Sequence, residues 1–230
     1  MILFIILILI LFFLYNNESF NNTNKIDYYV IHLKRNPERI DNILKNEEKL
    51  KNKINIYNAI DGRLIKNIND LKEYDKNLIN NFPTALIGEI GCYLSHLLII
   101  KQIENNDNYT VIFEDDLNIE DNNLHEKILE IVNKVNDFDM IYLGNTSDNV
   151  GEKYIDNIYQ VDPNKHLWGM HSYLIKNKNA KKIYDSLLNI DDAIDVKTKK
   201  LFDLKKLNAY VIYPRLVNQL SYMLGSTTRT

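Results

Sequence analysis

Short runs of β-branched and aromatic residues alternate with helical patterns along most of this chain, and that alternation constrains the fold more than any other feature. The runs are Tyr28–Leu33 (YYVIHL), Ile54–Ile60 (INIYNAI), Tyr109–Phe113 (YTVIF), Met140–Leu143 (MIYL), Tyr173–Ile175 and Tyr210–Tyr213. YTVIF and MIYL show no polar face, so they need cover on both sides. Between the runs, Asn36–Pro37–Glu38 has the residue types that open a helix, and Ile40, Ile43, Leu44 and Leu50 follow at helical spacing. Further helices are predicted from near Gly88 to about Gln102 and over Leu124–Val135, Ala180–Leu188 and Asp195–Leu204. An irregular stretch closes at Leu78–Pro83. The pattern predicts an α/β fold: a mostly parallel twisted sheet with helices on both faces. Of the 230 residues, those from 26 to 230 make one domain of ordinary size.

Residues 1–15 read MILFIILILILFFLY, with no charge and no glycine. A helix of that length spans about 22 Å, short of the roughly 30 Å hydrocarbon core. The following LYNNESFNN has no small-x-small cleavage site. These features predict a hydrophobic signal segment or single-pass N-terminal membrane anchor, with residues 16–25 as a polar linker. The side of the membrane stays open. Lys25, Lys34 and Arg35 after the segment favour a cytoplasmic domain, whereas a signal-type segment delivers the domain to the secretory lumen. The net charge of −3 offers no basic excess to neutralise phosphates, so no nucleic-acid partner is expected. A single cysteine, Cys92, excludes an intramolecular disulfide.

In open α/β sheets, ligands bind beyond the carboxyl ends of the strands. Three predicted strands end in polar residues there: Lys34–Arg35, Asp61–Gly62 and Glu114–Asp115–Asp116. Three adjacent carboxylates repel one another unless a cation sits among them. Their hard oxygens suit Mg²⁺ or Mn²⁺, which bridge substrate phosphates. The plainer alternative is an acidic surface turn that caps the next helix. Arg35 and Arg39 lie where they can reach a diphosphate from the first strand–helix turn; as surface arginines they would need no ligand.

Gly88–Glu89–Ile90–Gly91–Cys92–Tyr93–Leu94–Ser95–His96 places Gly88, Gly91, Cys92 and Ser95 near one helix face. Such a face admits a backbone or a ligand. Cys92 and His96 stand at i, i+4, as metal ligands can, but two residues do not make a zinc site. Tight packing with a buried Cys and a hydrogen-bonded His explains the same pattern. His171, Asp191, Asp192 and Asp195 come late in the chain. Any of these acids could act as a general base, although each also suits a helix cap.

Taken in order, YVIHLKRNPERIDNI, NAIDG, GEIGCYLSH, VIFEDDL, DMIYLG, GMHSYLIKNKNAKKI, DAIDV and YVIYPRLVNQ resemble glycosyltransferase family 25, the lipooligosaccharide and procollagen galactosyltransferase group. The resemblance implies a GT-A-like nucleotide-sugar fold. It implies that Glu114, Asp115 and Asp116 form the DxD-equivalent metal motif, with Asp116 the foremost ligand. Arg35, Arg39, Asp61, Gly62, Ser95, His96 and Asp115 fall on the nucleotide side or beside it, and His171 joins the metal or sugar side. Asp195 is the expected general base, with Asp192 as its competitor. UDP-galactose is the implied donor and Mn²⁺, or Mg²⁺, the implied metal. The acceptor is a glycan, a lipooligosaccharide or a hydroxylysine-type hydroxyl. Two rivals use the same acidic turn or fold: another metal-dependent phosphotransfer enzyme, and a catalytically silent glycan-binding module.

Overall fold

A computed structural model describes residues 24–65 and 87–220. The predicted anchor at 1–15, nearly all of the linker at 16–25 and the stretch at 78–83 lie outside the described residues. Among the described residues, no helix is long and apolar enough to cross a membrane.

In chain order, β1 is Ile26–His32, α1 Ile40–Leu50, β2 Ile54–Asn58 and α2 Ile87–Gln102. Then come β3 (Tyr109–Glu114), β4 (Leu117–Ile119), α3 (Leu124–Lys134), β5 (Met140–Gly144) and the short strands β6 (Lys153–Ile155) and β7 (Ile158–Gln160). The series closes with β8 (Ser172–Lys176), α4 (Ala180–Leu187), α5 (Ile194–Asp203), β9 (Ala209–Ile212) and β10 (Val217–Gln219). Eight strands form one sheet in the order β2-β1-β3-β8-β5-β9-β7-β6, while β4 and β10 pair as a separate antiparallel ribbon.

The sheet is mixed, which corrects the expectation of a mostly parallel one. β1 pairs parallel with β2 and β3, and β5 with β9. The β3–β8, β5–β8, β7–β9 and β6–β7 pairs are antiparallel. The physical reason lies in β8. It sits between β3 and β5 and is buried on both faces, so its residues read like a parallel strand. The chain reaches it through the β6–β7 excursion and not through a crossover helix, so it enters in the opposite direction.

Helices do cover both faces. On one, Ile43 and Leu50 of α1 and Leu124, Ile128, Ile131 and Val132 of α3 pack with Val30, Val111, Phe113 and Leu143. On the other, Tyr93, Leu94 and Leu97 of α2, Ile183 and Leu187 of α4, and Leu201 and Phe202 of α5 pack with Ile31, Ile112, Tyr142 and Tyr173. Each strand therefore sends alternate side chains into two separate cores. Full burial of one such Phe or Leu is worth about 1.5–3 kcal/mol.

This topology fixes the site. β1, β2, β3, β5 and β9 run the same way, so their carboxyl ends share one edge of the sheet. Antiparallel β8 begins at that edge. Its approach holds His171 beside the β3 tip, where the Glu114 N–H donates to the His171 carbonyl at 3.0 Å.

Candidate functional site: a cleft at the carboxyl edge of the sheet

Glu114, Asp115 and Asp116 follow one another, yet the fold gives each a different environment. Asp115 is buried and fully engaged. Its Oδ2 accepts from His32 Nδ1 at 2.9 Å and from the Leu33 N–H at 3.3 Å, and Arg39 donates to Oδ1. The Arg39 side chain is only 3% exposed, so the guanidinium is sealed against this carboxylate. Asn42 holds the turn by donating to the Asp115 and Leu117 carbonyls at 3.1 and 3.0 Å. Asp115 and Arg39 thus brace the turn, and their oxygens and nitrogens face each other.

Asp116 is the opposite case. It is 4% exposed. Gln219 Nε2 donates to its Oδ2 at 3.0 Å, but Oδ1 has no partner among the described residues. Gln219 arrives because β10 pairs with β4, and the Leu220 N–H donates to the Asp116 carbonyl at 2.8 Å. Burial, followed by the negative charge of Glu114, pushes the Asp116 carboxyl up to about 7. A buried carboxylate oxygen without a donor is costly, and a cation relieves that cost.

Glu114 is partly exposed and meets His96 Nε2 at 3.4 Å. Burial raises its carboxyl pKa, but the His96 hydrogen bond, helped by the positive charge of Arg39, outweighs it and holds the group below its usual range. His96 is buried, and its Nδ1 meets the Tyr173 hydroxyl at 2.8 Å. His171 is also buried. Its Nε2 lies 3.2 Å from the Val217 carbonyl, and its Nδ1 has no partner among the described residues. Desolvation pushes its pKa down, which keeps the ring neutral and able to bind a metal. Gly144 makes room for that ring, since a Cβ there would stand 2.1 Å from the Val217 carbonyl and 2.5 Å from His171 Nε2.

The small face of α2 does a backbone job. A Cβ on Gly91 would lie 2.6 Å from the Ile60 carbonyl and 2.7 Å from the Gly62 nitrogen. Ser95 Oγ donates to the Gly91 carbonyl at 2.6 Å and accepts from the Ile60 N–H at 2.8 Å. Gly91 and Ser95 therefore dock the segment after β2 onto the helix. That segment carries Asp61, which caps the turn at Gly62–Leu64 through the Arg63 N–H and lies 3.4 Å from Arg35 Nε.

The acids, Arg35, Arg39, Asp61, Gly62, Ser95, His96, Cys92 and Gln219 all line one cleft at this edge of the sheet. A second hollow meets it at Cys92 and Glu114 and extends to Gly169 and Asp195. Asp195 accepts from the Gly169 N–H at 3.0 Å and the Val196 N–H at 2.8 Å. Asp192 lines neither hollow. It pairs with Lys200 at 2.7 Å on the surface and caps the Ala193 N–H. Sequence reasoning missed His32 and Gln219. His32 hid inside a strand pattern, and nothing local to Gln219 points to Asp116 across 103 positions.

An α/β protein with an acidic strand tip between two hollows at the carboxyl edge of a twisted sheet is one built to hold a ligand there. The chain belongs to glycosyltransferase family 25: the family model described as Glycosyltransferase family 25 (LPS biosynthesis protein) matches residues 25–198. It is 22% identical over 222 residues to procollagen galactosyltransferase 2 of Homo sapiens, covering 85% of this chain and 35% of that protein. It is 28% identical over 221 residues to the procollagen lysyl hydroxylase and glycosyltransferase of Acanthamoeba polyphaga mimivirus, covering 84% and 25%. It is 30% identical over 138 residues to the inactive glycosyltransferase 25 family member 3 of Mus musculus, covering 55% and 23%. The chain spans about a third of the length of procollagen galactosyltransferase 2, human or mouse.

Proposed function

We propose that this chain is a metal-dependent hexosyltransferase that takes galactose from UDP-galactose and transfers it, with inversion, to a hydroxyl of a glycan or hydroxylysine-type acceptor. The observation that carries the reading is the buried Oδ1 of Asp116, without a partner among the described residues, beside Glu114 in the cleft at the carboxyl edge. Likeness to proteins named galactosyltransferase supports the sugar.

Glu114 and Asp116 would offer hard oxygens to a divalent cation, Mn²⁺ or Mg²⁺, and His171 Nδ1, without a partner among the described residues, would be a further donor. Such a cation, when bound, offsets charge on the departing diphosphate. Asp115 is given a bracing role and not a metal-binding one, because its oxygens accept from His32, Arg39 and the Leu33 N–H. Its role is to hold the β3 tip in place. Arg35 and Asp61, which also line the cleft, orient the nucleotide. Asp195, in the adjoining hollow, takes the proton from the acceptor hydroxyl as that oxygen bonds to the sugar and the sugar–diphosphate bond breaks. Two backbone donors orient its carboxylate for that work. Asp192, outside both hollows, is set aside as the base.

The test is UDP release from UDP-galactose and from other UDP-sugars, with Mn²⁺, in the native chain and in Asp116→Asn and Asp195→Asn. The reading expects UDP-galactose to be preferred and both variants to be impaired. Near-native turnover in Asp116→Asn removes Asp116 from the metal role. Glycan binding without any donor turnover in the native chain would instead identify a silent binding module.

A further inference from the structure

The i, i+4 pair on α2 is two ligands short of a tetrahedral site by sequence, and β3 supplies one of them. Cys92, His96 and Glu114 each offer one ligand atom, and the three atoms lie within 4.8 Å of one another. His96 Nε2 and Glu114 Oε1 are already 3.4 Å apart. The edge of a tetrahedral zinc site is about 3.3–3.7 Å for nitrogen, oxygen and sulfur donors. Donor atoms at most 4.8 Å apart would need to move by roughly 1 Å to reach that spacing. All three residues line the cleft, so a cation there keeps a coordination position facing the ligand space.

The surroundings of His96 complete the case. A metal-bound imidazole needs a partner on its other nitrogen to fix the tautomer and the ring plane. Tyr173 Oη stands 2.8 Å from His96 Nδ1. With Nε2 on a cation, the ring proton sits on Nδ1 and Tyr173 Oη accepts it. The ring is also packed 5.6 Å from the Tyr173 ring centroid, which holds its orientation.

We infer that Cys92, His96 and Glu114 form a three-ligand site for a borderline-soft divalent cation of the Zn²⁺ class, separate in chemistry from the hard-metal position at Asp116. Thiolate and imidazole favour Zn²⁺ or Co²⁺ over Mn²⁺ and Mg²⁺. Binding releases the Cys92 thiol proton to solvent. Glu114 is shared between the two positions, so occupation of the soft site withdraws it from Asp116. The soft cation then acts as a brake: it opposes Mn²⁺-dependent nucleotide binding. That last step rests on the proposed function above, whereas the site itself does not.

The test uses the full chain without nucleotide. Cys92 is its sole cysteine, so thiol chemistry reports one position. Stoichiometric Co²⁺ is expected to give a thiolate-to-cobalt charge-transfer band that Zn²⁺ removes. Zn²⁺ is expected to slow alkylation of Cys92 by iodoacetamide at least about tenfold, and Mn²⁺ to leave the rate unchanged. Cys92→Ser should lose the band and at least about tenfold in Zn²⁺ affinity, and Tyr173→Phe should keep the band but bind Zn²⁺ about tenfold more weakly. Cobalt binding without a thiolate band, or alkylation indifferent to Zn²⁺ in the native chain, overturns the inference even where a variant fails to fold. Asp116→Asn should retain the band while losing Mn²⁺-dependent UDP binding. A native chain that shows the band but binds UDP without regard to Mn²⁺ keeps the soft site and rejects the proposed function.

Discussion

The chain has two acidic clusters, one at the tip of β3 and one leading into α5, and the fold treats them in opposite ways. Glu114, Asp115 and Asp116 follow a strand buried on both faces; Asp115 and Asp116 are themselves buried, and each depends on what the edge brings to it. Asp191 and Asp192 precede a helix on the surface, where Lys197 and Lys200 meet them at 2.7 Å. Only Asp195 turns inward, and backbone N–H groups hold it. Composition alone does not separate these clusters. What separates them is whether solvent and lysines can reach the charge.

The largest effect should come from the brace at the strand tip. Arg39→Ala leaves the Asp115 carboxylate buried without its guanidinium, and chemical denaturation should show a loss of about 3–5 kcal/mol. A loss comparable to that of a surface mutation would erase the contrast with the α5 cluster. Next, Asp116→Asn should lower UDP-galactose turnover by about 10²–10³-fold, equivalent to about 2.7–4 kcal/mol of lost transition-state stabilisation. Gly91→Ala pushes a methyl group into the Ile60 carbonyl and Gly62 nitrogen. Thermal melts should report a loss of about 1–3 kcal/mol, with nucleotide affinity falling as the Asp61 segment shifts.

The pH dependence of stability separates the clusters further. The folded Asp116 carboxyl titrates near 7, above its ordinary 3.8, so the folded state holds the proton more tightly than the unfolded one. The stabilisation is complete below about pH 3.8 and is lost as pH rises to about 7. Glu114 is depressed below its ordinary 4.5, so its stabilising share is present above that value and falls away only in more acid solution. Between about pH 4.5 and 7, metal-free stability should therefore drop by up to about 1.4 kcal/mol per pH unit, and Asp116→Asn should flatten the slope. The smallest effect belongs to Asp192→Asn, which should change stability by less than about 0.5 kcal/mol and leave turnover intact. A large loss of turnover there would restore Asp192 as the base in place of Asp195.

Much of this was legible in residue types and spacing. The β3 tip, the helix over Gly88–Gln102 and the helices on both faces follow from local pattern, because each needs only period and end signals. The direction of β8 was not legible, since a strand buried on both faces carries no mark of its neighbours' polarity. The partners that distinguish Asp115 from Asp116 were hidden for a different reason. His32, Arg39 and Gln219 reach the turn from distant segments, and only the β1–β3 and β4–β10 pairings bring them there. The same holds for Glu114 as the third member of the Cys92–His96 group. Sequence marks which residues can carry charge; sheet topology decides which of them must share it.

UDP binding at this edge should depend on a cation at the β3 tip that grips the diphosphate. A calorimetric titration of UDP into the native chain, once with Mn²⁺ and once with EDTA, addresses this most directly. The prediction is an affinity at least about tenfold higher with Mn²⁺, a gain of about 1.4 kcal/mol or more that Asp116→Asn removes. Equal affinity under both conditions would contradict it.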